Sequence, residues 1–108
     1  MNTQEYDIDF DKWEEPVTVT TGITIRKNKH YAQITVTEFN SYSSIGKTYS
    51  YDLPQGYNPY GAFATPLYTI GGGASYGYIR VGGGKIEIIL SKATQDTKLY
   101  GSLLYSLA

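Results

Sequence analysis

Tyr76-Gly77-Tyr78-Ile79-Arg80-Val81-Gly82-Gly83-Gly84-Lys85-Ile86-Glu87-Ile88-Ile89-Leu90-Ser91 decides the fold. Either side of the three glycines, apolar and polar residues alternate with period two, the spacing of a half-buried strand. Ile79 and Val81 share one face of the first run, and Ile86, Ile88 and Leu90 one face of the second. Arg80, Lys85 and Glu87 then point the other way, because successive side chains leave a strand on opposite sides. Gly82-Gly83-Gly84 supplies the positive φ that a tight antiparallel turn demands, with room for a bulge. The stretch predicts a buried hairpin that the rest of the chain must cover.

At 108 residues the chain makes one domain, with 12 Tyr and 12 Gly favouring strands and turns. No run of ten or more residues shows a 3.6 period, so the class is all-β. With no cysteine, disulfides and thiolate metal sites are unavailable. A formal net charge of −1 and a pI near 5.7 argue against a nucleic-acid face, since neutralising phosphates needs clustered cations. No stretch has the length and apolarity of a membrane span or the make-up of a signal peptide.

Residues 1–15 read as an acidic arm or linker, able to pack through Ile8, Phe10 and Trp13. From Pro16 onward the chain reads as strands. Val17 and Val19 alternate with threonines, Gly22 allows a bulge before Ile23-Thr24-Ile25, and Arg26 to Lys29 make a polar turn. His30 to Phe39 follows as a strand with Ala32, Ile34 and Val36 on one face. Asn40 to Gly46 reads as a surface loop, and Tyr49, Tyr51 and Leu53 as one face of the next strand, which Pro54 ends. Gln55 to Gly61 is dense in turn formers. Phe63 to Ile70 reads as an edge strand because of Pro66, and Gly71 to Gly73 as a flexible link. Ala93 to Lys98 reads as a polar loop, and Leu99 to Leu107 as the closing strand. Seven or eight such strands over residues 16–108 predict a single-domain, two-layer antiparallel β-sandwich or jelly roll.

Few patterns carry chemistry. Gly82-Gly83-Gly84-Lys85 lacks the Ser or Thr and the following helix of a phosphate loop. Asp7, Asp9 and Asp11 alternate like calcium ligands, but Lys12 stands where the sharp turn needs glycine and Thr18 where a bidentate glutamate belongs. A solvated acidic arm is the better reading. The lone His30 has no cysteine to share a zinc ion. No nucleophile elbow is present, and Glu38, Asp52, Glu87 and Asp96 are the carboxylates a glycosidase would have to draw on. The expectation is a protein that is not an enzyme and takes no cofactor or metal. The tyrosines are the informative excess. An aromatic ring with a polar tip either stacks on a sugar face or plugs a small core and its subunit contacts. Loop placement nominates His30, Asn40, Tyr42, Tyr57, Asn58, Tyr60, Tyr76, Tyr78 and Arg80 as ligand-binding candidates for a saccharide.

Leu53-Pro54-Gln55-Gly56-Tyr57-Asn58-Pro59 resembles a Leu-Pro-x-Gly-Tyr/Phe-x-Pro signature of C-terminal domains in phage and prophage tail-fibre, baseplate and receptor-binding proteins, especially of phages infecting Gram-positive bacteria. In that pattern the signature precedes a strand-turn-strand like Gly77 to Ile88 and a closing Gly-Ser-x-x-Tyr like Gly101-Ser102-Leu103-Leu104-Tyr105. Gly22-Ile23-Thr24-Ile25-Arg26-Lys27 is similar to the usual first strand. The resemblance covers most of residues 16–108. It implies a β-sandwich head, commonly a trimer, at a virion tip, where it binds host cell-wall saccharide or another tail protein. The alternative is a structural virion module whose tyrosines serve only subunit packing or attachment. Such heads usually follow a long stem, so some fifteen preceding residues suggest an excised head or a small accessory protein.

Overall fold

The computed structural model describes residues 12–43, 48–69, 75–91 and 94–108, with the side chains of 41–43 and 94–96 outside that description. The described chain is all-β: β1 (Val17–Thr20), β2 (Ile23–Lys27), β3 (Tyr31–Ser43), β4 (Thr48–Asp52), β5 (Phe63–Tyr68), β6 (Ser75–Gly82), β7 (Lys85–Leu90) and β8 (Thr94–Ser106). Every pairing is antiparallel, in the order β1-β2-β3-β8-β5-β6-β7-β4. The sheet is nearly closed into a barrel, with β1 and β4 at its open ends. Its two four-stranded halves, β1-β2-β3-β8 and β5-β6-β7-β4, are joined at the single residue pair Tyr68↔Tyr100.

The glycine hairpin forms as its alternation predicts. Ile79, Val81, Ile86, Ile88 and Leu90 are all buried, each contributing about 1.5–3 kcal/mol for leaving water. Gly82 pairs with Lys85, leaving a two-residue turn in which Gly83 and Gly84 both have positive φ, the turn type whose twist suits a hairpin. Ile23, Ile25, Ala32, Ile34 and Val36 from β2 and β3 join the same core cluster, so the inner faces of both halves share one interior. Arg80, Lys85 and Glu87 lie on the outer side, where Arg80 pairs with Glu87 and Lys85 with Asp52.

Three expectations fail, each for a physical reason. The expected loops at Asn40–Gly46 and Ala93–Lys98 are in large part strand: β3 runs on to Ser43 and β8 begins at Thr94, with Asn40 opposite Lys98 and Ser41 opposite Thr97. An antiparallel pair needs apolar alternation only where one face is buried, so polar residues such as Ser, Thr and Asn build a ladder that sequence periodicity does not show. The expected edge strand β5 sits inside the order. Proline is tolerated because the Pro66 carbonyl, on the same side of the strand as its missing N–H, faces Gly101 of β8 across the seam that one residue pair holds. The polar turn after β2 starts later than expected, since Arg26 and Lys27 are still paired with Gln33 and Ala32.

Of the N-terminal arm, Ile8, Phe10 and the alternating aspartates lie outside the described residues. Trp13 does pack onto the body: the Arg26 guanidinium lies 4.3 Å from the centre of its ring, and the Glu14 N–H donates to the Lys27 carbonyl at 2.8 Å. A cation held over an indole face contributes about 0.5–1 kcal/mol when exposed. Gly71 to Gly73 and residues 44–47 are likewise outside the description.

Candidate functional site

Strand directions put the turn after β2, the long β4–β5 connection, the β6–β7 turn and the end of β8 at one end of the molecule. Asn28 shapes the first of these. Its side-chain oxygen accepts from the His30 and Tyr31 N–H groups at 3.0 and 2.9 Å, closing a turn that presents both of those side chains to solvent. The two rings meet edge to face with centroids 6.4 Å apart. The His30 carbonyl accepts from the Leu107 N–H at 2.8 Å, tying the turn to the segment after β8.

The β4–β5 connection is anchored from three sides. The Leu53 N–H donates to the Gly84 carbonyl at 3.0 Å, so the connection starts on the core hairpin. The Tyr57 N–H donates to the Pro54 carbonyl at 3.3 Å across a turn with Gly56 at φ +90°, and this folds Tyr57 inward. The Tyr105 hydroxyl donates to the Tyr57 carbonyl at 2.8 Å, and the Lys27 ammonium lies 4.9 Å from the centre of the Tyr57 ring. Beyond it the Asn58 carbonyl accepts from the Ala108 N–H at 2.9 Å, and Pro59 bridges to Leu107. Tyr60 follows, 82% exposed, directly after the Pro59 bridge.

The predicted site residues therefore divide. His30, Asn58 and Tyr60 come together at this end as exposed polar and aromatic groups. Tyr57 lies in the same loop but is 5% exposed and belongs to the core. Tyr78 and Arg80 stand on the outer face of β6. Asn40, on β3, and Tyr76, half-buried against the core at the start of β6, are towards the opposite end. Tyr42 is in β3, with its side chain outside the description. The exposed Tyr31 joins His30 without having been singled out. Its signal was available, because counting back by one from Ala32 puts it on the outer face.

No protein-family model matches the chain, and no curated protein matches it.

The end can present a ring to stack on an apolar sugar face, with imidazole and amide groups to bond hydroxyls. Three of the described carboxylates are engaged by neighbouring side chains. Asp52 bonds Lys85, which holds its carboxyl below the usual range; Glu87 bonds Arg80 at 2.7 Å; Glu38 lies 3.9 Å from Lys98 and accepts from the Tyr100 hydroxyl at 3.4 Å. Among the described residues no three His, Cys, Asp or Glu side chains gather as metal ligands would.

Burial raises the Tyr105 and Tyr57 phenols above the ordinary value of 10.0, with the neighbouring Tyr57 adding to the first and the charge of Glu14 to the second. Tyr51 is raised by burial and by Tyr49. Raised folded-state values mean that the unfolded chain releases these protons first. Their stabilising contribution is complete below pH 10 and is lost as pH climbs above it, most of all for Tyr105, the most strongly raised of the three. Urea midpoints measured across that range should fall steeply, and more gently in Tyr105→Phe. A flat profile to well above pH 10 would contradict the assignment of buried phenols.

Proposed function

We propose that the chain is a receptor-binding head of a phage tail, carried at the virion tip, that holds host cell-surface saccharide without cleaving it. One observation supports the kinship more than any other: the segments that carry the resemblance meet in space. The Leu53–Pro59 signature is bonded to the glycine hairpin through Gly84 and to the closing segment through Tyr105. Residues so connected are explained as one folding unit rather than as separate coincidences. In the same reading the two four-stranded halves are the layers of a sandwich or jelly roll, and the loops of one end form the receptor surface.

The saccharide surface is Tyr60, Tyr31, His30 and Asn58, a ring-bearing end whose His30, Tyr31 and Asn58 backbones are tied by hydrogen bonds to neighbouring segments. Preorganised aromatic anchors lose little entropy on binding. Tyr60→Ala should weaken retention on host cells or purified wall polysaccharide by about 1–2 kcal/mol, roughly 5- to 30-fold, because stacked rings dominate such contacts. Its melting temperature should stay at the wild-type value, since the ring is outside the core. If neither cells nor polysaccharide retain the wild-type protein, and another tail protein captures it, the head is a structural virion module instead.

A further inference from the structure

The ring-bearing end is built from places far apart in the chain: His30 and Tyr31 from the turn after β2, Asn58 and Tyr60 from the β4–β5 connection. Between them runs the closing segment. Ser106 pairs with Tyr31 at the end of the β3–β8 ladder, and Leu107 bridges to Pro59 of the connection. Consecutive N–H groups of an extended chain point to opposite edges, so adjacent residues bond different neighbours. The Leu107 N–H accordingly donates to the His30 carbonyl at 2.8 Å, and the Ala108 N–H to the Asn58 carbonyl at 2.9 Å. Two adjacent residues thus hold both parts of the candidate site.

Another link joins the same two parts: the Lys27 ammonium donates to the Gly56 carbonyl at 3.4 Å and lies 4.9 Å from the centre of the Tyr57 ring. That contact is exposed, and a flexible four-carbon stem follows whichever partner moves. The closing segment has no such slack. Its bonds are backbone to backbone, and the Leu107 side chain packs against the core. We propose that Leu107 and Ala108 are positioning residues, a clasp through which the His30–Tyr31 turn and the Asn58–Tyr60 connection are ordered and loosened together. Its role in binding rests on the saccharide reading and deepens it. The clasp sets the separation between the Tyr31 and Tyr60 rings, so a saccharide that touches both meets a spacing fixed beforehand and loses less entropy on binding.

Proline has no N–H, so Leu107→Pro cuts the bond to His30 and Ala108→Pro the bond to Asn58. Amide exchange followed by NMR reads the coupling. Either variant should accelerate exchange of both the Tyr31 N–H in the turn and the Tyr57 N–H in the connection, each about tenfold, while the β6–β7 ladder keeps its wild-type rates. Leu107→Val, which keeps the N–H, should leave both segments at wild-type exchange. If Leu107→Pro fails to fold, Ala108→Pro decides alone, through the turn that Ala108 does not bond. A variant that loosens only the segment whose bond it cuts, or a Leu107→Val as loose as the proline variants, overturns the clasp. Wall polysaccharide that retains wild type should retain either proline variant about fivefold less. Unchanged retention would overturn the role of the clasp in binding. Wall polysaccharide that does not retain wild type counts against the saccharide reading itself, and the exchange rates still decide the coupling.

Discussion

Gly77→Ala should be the most damaging single-methyl change in the described chain. A Cβ built on Gly77 falls 2.2 Å from the Ile89 carbonyl oxygen and 3.0 Å from the Leu90 Cα, both backbone atoms of the partner strand. No side-chain rotation relieves contacts with backbone, so β6 and β7 must part where the core hairpin is paired. The residue also sits at φ +156°, which side-chain-bearing residues seldom adopt. We expect a loss of about 3 kcal/mol or more, against a total stability of roughly 5–15 kcal/mol for a domain of this class. Urea denaturation gives the measurement. Gly101→Ala is the internal comparison: its Cβ would fall 2.5 Å from the Leu67 Cδ2, the tip of a flexible side chain that can move. The ranking of the two variants follows from what each methyl meets. Gly77→Ala within about 1 kcal/mol of wild type would mean that β6 and β7 are not held at this register.

The same hairpin shows why part of the fold was legible. Period-two alternation writes burial directly into the order of residues, and Ile79, Val81, Ile86, Ile88 and Leu90 followed it without exception. Near-closure of the sheet left no such trace, because it depends on Tyr68 meeting Tyr100, two residues far apart in the chain whose pairing no local pattern encodes. The ends of β3 from Asn40 and of β8 up to Lys98 read as loops because hydroxyl and amide residues dominate their sequence. The site was legible only to the level of its segment. Tyr57 and Tyr60 stand three positions apart among the same turn formers, yet one is buried and the other fully presented. What separates them is long-range: Lys27 from β2 and Tyr105 from β8 both close on Tyr57. Likewise Arg80 is engaged by its partner across the ladder, Glu87, which a single strand's pattern does not reveal.

Tyr105 ties the last strand to the β4–β5 connection, and two substitutions separate its contributions. The ring is buried and stacks on Phe63 with centroids 6.0 Å apart, so Tyr105→Ala removes a large core side chain and should cost about 3–5 kcal/mol. Tyr105→Phe keeps the ring and deletes only the hydroxyl that donates to the Tyr57 carbonyl, for about 1–2 kcal/mol. Chemical denaturation resolves the two. The phenylalanine variant carries the functional information, because the lost bond fixes the loop on which Asn58 and Tyr60 stand. Amide exchange should accelerate across Gln55–Asn58 while the core strands keep most of their protection. On the proposed saccharide reading, retention should also weaken although Tyr105 itself is buried, since a looser Tyr60 must be ordered on binding. If Tyr105→Phe leaves both loop exchange and stability unchanged, the hydroxyl is not what positions Tyr60, and the β4–β5 connection is held by its backbone bonds, those of Leu53, Tyr57 and Ala108 among them.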